Sequence, residues 1–340
     1  MKILVPDTIR LDLDEERATG PGTAGTGSGA PGPAGHEPAG RTRLADEVVE
    51  YDAAAPLPVA HRDAEVLVAW ANSPENLADA AANLPRLRWV QTLAAGPDAI
   101  LAAGFAPEVV VTNGRSLHDG PVAEHALALT LAAVRRLDRA GAAQREHRWD
   151  TALGREQGDP ATSGRFTLAG AHVTIWGFGS IAAALAPLYR ALGAHVTGVA
   201  STAGERSGFP VVTDEDLPGV LATTDVLVSL LPALPATRHA FDAARIAQLP
   251  DHAWFVNVGR GATVDEGALV AALHEGRLGG AALDVAEAEP LPAGSPLWDT
   301  PRTIITPHVA GGRPQGASGL VRENLENLRA GRPLRNVVPR

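Results

Sequence analysis

The chain has 340 residues, enough for two domains with cores of their own, and its 45% apolar and 20% charged residues fit an ordinary soluble globular protein. A net charge of −10 argues against nucleic acid or an anionic membrane surface as the main partner. The absence of cysteine excludes disulfides, thiol catalysis and cysteine metal sites.

Taken in order, Lys2 to Val5 reads as a short strand. The opening Met1-Lys2-Ile3-Leu4-Val5 is too short for the apolar stretch of a signal peptide and is stopped by Pro6-Asp7. No apolar run approaches the roughly 20 residues that span a bilayer, so a cytoplasmic location is expected. Residues 19–43 are mostly Gly, Pro, Ala, Ser and Thr without periodicity. They cannot bury enough apolar surface to offset their ordering entropy, and a flexible surface insertion is expected there, with His36 solvated inside it.

Short apolar runs follow at Val48–Tyr51, Glu65–Trp70, Leu87–Leu93 and Glu108–Thr112, with helix-like pieces such as Pro74–Ala82 between them. This alternation predicts a small α/β domain built on a parallel sheet with both faces covered. The loops Trp70-Ala71-Asn72 and Ala95-Gly96-Pro97-Asp98 follow strands. Open α/β sheets hold ligands there, and plain turn chemistry explains the same residues equally well. Val122–Leu137 is the longest helical pattern and is apolar over most of its surface, so it belongs in the interior or against a second subunit. Glu124 and His125 near its start read as capping and packing groups. His147 and Trp149 beyond it either reach a cleft or are scattered surface residues.

The stretch from His172 to Thr202 is the most informative. Val173 and Ile175 mark a strand, Gly177-Phe178-Gly179 a turn, and a helix then runs to Leu192 before a second strand at His195–Val199. Strand, glycine turn, helix and strand within about thirty residues is the unit that binds a dinucleotide. Gly177 lets the chain turn tightly, and Gly179 lets amides at the helix start, with Ser180 and Ile181, approach a pyrophosphate. Ala182 is the small third residue that allows close helix–strand packing. Pro187 sits inside this helix, where a kink is expected. Six strand-like runs in all, at 172–176, 195–199, 225–230, 253–258, 279–284 and 303–306, complete a doubly wound cofactor domain. Helical patterns at 180–192, 214–222, 242–249 and 265–275 fall between them. Thr213 with Asp216 reads as a capping box, and Asp265 caps a helix that Gly276 ends. The helical stretch Gln315–Arg329 is left over and is expected to return to the first domain.

Three charged or titratable residues stand where strands of this domain end: Arg260 in Asn257-Val258-Gly259-Arg260-Gly261, Glu289 beyond Ala282-Leu283-Asp284-Val285, and His308 after Ile304-Ile305-Thr306-Pro307. A guanidinium, a carboxylate and an imidazole at one sheet edge suit hydride transfer at a 2-keto or 2-hydroxy acid. Arg260 grips carboxylate and keto oxygen, His308 moves the proton, and Glu289 on the other ring nitrogen fixes the tautomer. The pattern calls for no metal.

The segments GFGSIA, NVGRGATVDEGAL, ALDVAEAEP and TPHVAGG, with VAEHALAL before them, resemble the D-isomer-specific 2-hydroxyacid dehydrogenases, a group that includes phosphoglycerate dehydrogenases and glyoxylate/hydroxypyruvate reductases. The resemblance covers nearly the whole chain apart from the insertion. It implies two doubly wound parallel-sheet α/β domains: a discontinuous flavodoxin-like substrate domain (1–115 and 312–340) and an inserted NAD(P)-binding Rossmann domain (116–311). It also implies that the Ala95 and Gly96 amides hold the substrate carboxylate, that Asp284 lies near the nicotinamide, and that the protein is a homodimer acting on a small acid. Non-catalytic NAD(H)-responsive relatives and phosphoglycerate dehydrogenase itself are the alternatives. For the last, no clustered Arg or Lys in the first domain's loops offers a phosphate anchor, and no regulatory domain is expected after Arg340.

Three places depart from the family pattern. At the end of the second cofactor-domain strand, Val199-Ala200-Ser201-Thr202 has no carboxylate for ribose hydroxyls, and Arg206 follows closely. Ser201, Thr202 and Arg206 therefore favour NADP over NAD. Ala182 replaces the third glycine. Leu230-Leu231 before Pro232 puts apolar residues where polar ones are common, so Leu231, like Val258, is expected to meet the cofactor through its backbone.

Overall fold

The computed structural model describes residues 1–13 and 46–339; the expected insertion at 19–43, with His36, lies outside them. Two compact units emerge, one formed by Met1–Leu117 with Pro314–Arg340 and the other by His118–Arg313. Among the described residues no helix is long and apolar enough to cross a membrane.

The first unit is a parallel sheet of β1 (Lys2–Pro6), β2 (Glu47–Tyr51), β3 (Val66–Ala69), β4 (Trp89–Thr92) and β5 (Val110–Thr112). Its order, β2-β1-β3-β4-β5, is the flavodoxin-like one. Helix α1 (Pro74–Asn83) starts where Ser73 accepts from the Asn76 amide and Pro74 supplies a preset φ. It covers one face of the sheet together with α2 (Asp98–Ala102), burying Leu77, Ala80 and Ile100 against Leu4, Leu67 and Val90. The last helix of the chain, α10 (Ala317–Arg329), covers the other face with Leu320, Val321 and Leu325. A buried polar chain sets its register. Trp89 Nε1 donates to Thr112 Oγ1 (2.8 Å), that hydroxyl donates to Gln91 Oε1 (2.8 Å), and Asn324 Nδ2 of α10 donates to the same oxygen (3.0 Å). Sliding the helix would strand these groups in an apolar interior at about 1–3 kcal/mol each.

The second unit has eight strands: β6 (His172–Trp176), β7 (His195–Val199), β8 (Gly204–Arg206), β9 (Phe209–Val212), β10 (Val226–Ser229), β11 (Trp254–Asn257), β12 (Gly280–Leu283) and β13 (Thr303–Ile305). Their order is β13-β12-β11-β10-β6-β7-β9-β8, parallel except for the β8–β9 hairpin. Six were expected. The hairpin was missed because Gly204–Arg206 is too short and polar to show alternation, and it turns through Ser207 and Gly208 at positive φ.

Helix α3 (Asp119–Val134) lies with α6 (Ser180–Ala191) on one face of this sheet. Its apolar length, open to either a core or a partner, is largely explained by this packing: Val122, Ala126 and Leu129 bury against Ala182, Leu185 and Tyr189. Thr130 Oγ1 meets the Tyr189 hydroxyl at 2.7 Å, and burial pushes that phenol well above its ordinary range. Arg136 at φ +55° ends α3 before Leu137, and α4 (Leu137–Arg145) and α5 (Thr151–Gly158) follow. Helix α6 continues through Pro187 as one element. The opposite face carries α7 (Leu217–Leu221), α8 (Ala243–Ile246) and α9 (Glu266–His274). Asp265 caps α9 by accepting from the Ala268 amide, and Gly276 follows that helix at φ +71°. The expected Thr213–Asp216 capping box does not form. Helix α7 begins only at Leu217, so Thr213 lies outside its first turn, and Asp216 makes no side-chain cap.

Candidate active site

The carboxyl ends of β13, β12, β11, β10 and β6 stand side by side, because these strands are parallel neighbours in that order. The strand order reverses between β6 and β10, and open α/β sheets take ligands at such a crevice. Backbone packs directly on backbone along this rim. A Cβ on Gly177, which sits at φ +101°, would lie 2.9 Å from the Leu230 carbonyl carbon and oxygen. One on Gly259 would lie 2.7 Å from Leu231 O, and one on Gly261 only 1.9 Å from the Ala286 carbonyl carbon and oxygen. The loops after β6, β10, β11 and β12 are therefore locked to one another where a side chain would wedge them apart.

Arg260 follows β11 in a loop that bonds to itself. Asn257 Oδ1 accepts from the Gly259 amide (3.0 Å), while Asn257 Nδ2 and Thr263 Oγ1 both donate to Arg260 O (3.2 and 2.6 Å). The Arg260 guanidinium donates to Gly259 O at 2.8 Å, which orients its fork. Glu289 follows β12: one carboxylate oxygen accepts from the Ala286 amide (3.0 Å), and the other lies 2.6 Å from His308 Nδ1. Both side chains of this pair remain substantially exposed, at 37% and 47%, as groups that must meet a small molecule would be. Adjacent strands bring the three residues to one edge, and the Gly261 contact ties the Arg260 loop to the segment that carries Glu289.

His308 itself is held at φ +52°, a left-handed conformation that a side chain adopts at a cost of about 1–3 kcal/mol. Asp284 compensates. Its carboxylate is only 1% exposed and accepts from Thr306 Oγ1 (2.6 Å), the Val309 amide (3.0 Å) and the Ala310 amide (2.9 Å), while its backbone carbonyl accepts from the His308 amide (2.7 Å). His125 of α3 completes the knot, with Nε2 at 2.9 Å from Thr306 Oγ1 and 3.3 Å from Asp284 Oδ1. The sequence reads His125 as a capping and packing group, because its partners Thr306 and Asp284 lie more than 150 residues away along the chain.

On the other side of the crevice the glycine turn fits a dinucleotide. Around Gly179 nothing lies within 4 Å of a would-be Cβ, so the space in front of the α6 N-terminus is open where Gly177 is closed. Ile181 is half-buried, the Ser180 hydroxyl donates to Asp119 Oδ1 at 3.0 Å, and Ala182 is fully buried behind them. Leu231 and Val258 are buried at the crevice floor, at 9% and 7% exposure. The hairpin brings Arg206 back to the turn: its guanidinium donates to Phe178 O (2.9 Å), Thr202 O (3.1 Å) and Thr202 Oγ1 (2.5 Å), next to exposed Ser201.

Other candidates fall elsewhere. Ala95 and Gly96 belong to the first unit, where Gly96 borders a cleft of about 210 Å³ with Trp70, Asn72, Thr92 and Ile100. His147 and Trp149 line a groove of about 610 Å³ along α4 and α5, with Trp149 90% exposed. A cavity of about 490 Å³ beside Glu289 and His308 is walled by Leu283, Leu291, Leu297 and Trp298. Nothing in the sequence separates those apolar residues from ordinary core.

Because Gly261 has no room for a Cβ, Gly261→Ala is expected to destabilise the fold by about 1–3 kcal/mol through overpacking. It should also lower kcat about a hundredfold by misplacing Arg260 and Glu289 together. Thermal unfolding and turnover measured on one preparation check both.

Residues 127–310 match the family described as D-isomer specific 2-hydroxyacid dehydrogenase, NAD binding domain. Glyoxylate/hydroxypyruvate reductase A of Escherichia fergusonii is 42% identical over 127 residues, 37% of this chain and 41% of that protein. The chain thus spans about two fifths of the length of the curated reductases it matches. Among solved structures, a D-isomer specific 2-hydroxyacid dehydrogenase from Xanthobacter autotrophicus in complex with NADPH and MES superposes with a TM-score of 0.72 at 33% identity, covering 87% of this chain and 91% of that one. An NADPH-dependent glyoxylate/hydroxypyruvate reductase from Sinorhizobium meliloti in complex with NADP and sulfate gives a TM-score of 0.72 at 29% identity, with the same coverage.

Proposed function

The chain belongs to the D-isomer specific 2-hydroxyacid dehydrogenase family, and from that premise we propose that it is an NAD(P)-dependent oxidoreductase acting between C2 of a small 2-keto acid and its 2-hydroxy acid. The observation that carries this reading is the Glu289–His308 pair at 2.6 Å, its members following β12 and β13, beside the Arg260 loop that follows the neighbouring β11. The bound dinucleotide supplies or accepts the hydride. The rest falls to side chains. Arg260 binds the substrate carboxylate and polarises the keto oxygen through its planar fork. In reduction, His308 gives the proton of Nε2 to that oxygen as C2 gains the hydride, and in oxidation it takes the proton back. Glu289 on Nδ1 fixes which ring nitrogen faces the substrate. A spectrophotometric assay of NADPH oxidation with glyoxylate, hydroxypyruvate and phenylpyruvate tests the reading. Tight cofactor binding without turnover of any keto acid would point instead to a regulatory binding protein.

We further propose that NADP is preferred. Support comes from the missing carboxylate at 199–202, from Arg206 beside exposed Ser201 and Thr202, and from the NADP and NADPH bound in the two structural relatives. A 2′-phosphate there would gain a charge-assisted hydrogen bond from Arg206, worth about 1.5–3 kcal/mol. Arg206→Ala should therefore weaken NADPH binding about tenfold to a hundredfold and leave NADH binding within about threefold. Fluorescence titration of both cofactors decides. An equal loss for the two would reduce Arg206 to a clamp on the turn.

A further inference from the structure

The segment between Asp284 and Glu289 contains a second carboxylate that the reaction does not use. Glu287 Oε1 takes two donors from the loop that follows β10: His239 Nε2 at 2.7 Å and Arg238 Nη2 at 3.2 Å. That loop is itself anchored, since the His239 amide donates to Ala262 O (3.0 Å) and the Phe241 amide to Thr263 O (2.9 Å), just past Arg260 and Gly261. From the opposite direction, the Glu287 amide donates to Glu266 Oε1 at 2.5 Å, in the first turn of α9. The peptide joining Ala286 to Glu287 is the one against which Gly261 packs without room for a Cβ, and the Ala286 amide holds Glu289.

The 286–287 peptide is thus fixed from three sides, and it is the only covalent route by which Glu289 reaches β12. We infer that Glu287 is a positioning residue. Its carboxylate, through Arg238 and His239, holds this peptide against Gly261 alongside the bond from its amide to Glu266, and so sets both the Glu289 carboxylate on His308 Nδ1 and the Arg260 loop beside it. The inference deepens the proposed dehydrogenase reading and rests on it. A surface ion pair contributes little to stability, so a cluster that is one-third exposed at Glu287 and 61% exposed at Arg238 is better explained by the geometry it enforces than by the energy it adds. Free of it, the Glu289 carboxylate would sample orientations that leave the imidazole unsupported, and the loss would fall on the proton-transfer step rather than on dinucleotide binding.

The test compares Glu287→Ala, Glu287→Gln and Arg238→Ala in the full chain, reading kcat, KM for glyoxylate, NADPH affinity by fluorescence, and Tm. Glu287→Ala is expected to lower kcat at least tenfold, with NADPH affinity within twofold of the parent. Glu287→Gln keeps an acceptor oxygen for both donors and should restore kcat to within threefold. Arg238→Ala should lower kcat about threefold to tenfold, and because its side chain is exposed it decides the question even if Glu287→Ala does not accumulate as folded protein. Unchanged kcat in Glu287→Ala and Arg238→Ala overturns the inference, as does a parallel loss of kcat, KM and NADPH affinity that the Gln variant fails to rescue. If the parent itself oxidises no NADPH with any keto acid, the dehydrogenase reading fails first and the inference with it.

Discussion

His308→Ala is expected to lower kcat by about a hundredfold to ten-thousandfold, the range that a positioned general acid or base supplies. NADPH affinity should stay within about threefold, because the glycine turn and Arg206 lie on the other side of the crevice. The substitution carries one complication in this structure, since residue 308 sits at φ +52°. Alanine there keeps the backbone strain and loses the ring that Glu289 holds. Asparagine visits the left-handed region with less strain, so His308→Asn separates the two effects. If both variants lose kcat alike, the loss belongs to the imidazole. If His308→Asn recovers most of the activity, the conformation of the 306–310 loop mattered and the proton-transfer role is wrong. Initial rates of glyoxylate-dependent NADPH oxidation under saturating cofactor give the answer.

The contrast between His308 and His125 shows what a sequence can reveal about such a site. His308, Arg260 and Glu289 were legible because each follows a β-branched or apolar run, and parallel strands put every such run's end at one edge. That inference needs only local patterns and one topological rule. The glycine turn is legible for the same reason: Gly177 and Gly179 stand between adjacent elements, β6 and α6. His125, Thr306 and Asp284 form a knot across most of the second unit, and no local pattern announces a contact between residues 181 positions apart. The resemblance singles out Asp284 as a residue near the nicotinamide, but no local pattern shows what its side chain does in the loop. Its carboxylate is buried and occupied by donors from the loop that bends His308 into place. Nothing local sets Glu287, two residues before Glu289, apart from solvated surface. The β8–β9 hairpin went unseen although Arg206 on it was singled out, since three polar residues carry no period. The end of α3 was placed three residues late because Arg135, Arg136 and Leu137 continue a plausible helical pattern, and only the positive φ at Arg136 stops it.

Arg260→Ala should damage binding and turnover together, lowering kcat/KM by about a thousandfold. Two charge-assisted bonds to a carboxylate and a keto oxygen, at roughly 1.5–3 kcal/mol each, correspond to about 3–6 kcal/mol. The loss should divide between the two constants. Carboxylate binding is present before and during the reaction and so appears in KM, whereas polarisation of the keto oxygen strengthens as charge develops there and so appears in kcat. The backbone gives this test a clean background. Asn257 and Thr263 hold Arg260 O, and Gly261 remains wedged under Ala286, so truncating the side chain leaves the loop in place. Arg260→Lys sharpens the reading. A lysine keeps the charge but cannot offer two parallel N–H groups, so it should recover KM more than kcat. A variant in which KM alone rises, with kcat equal to the parent's, would confine the guanidinium to anchoring the carboxylate and leave polarisation of the carbonyl to His308.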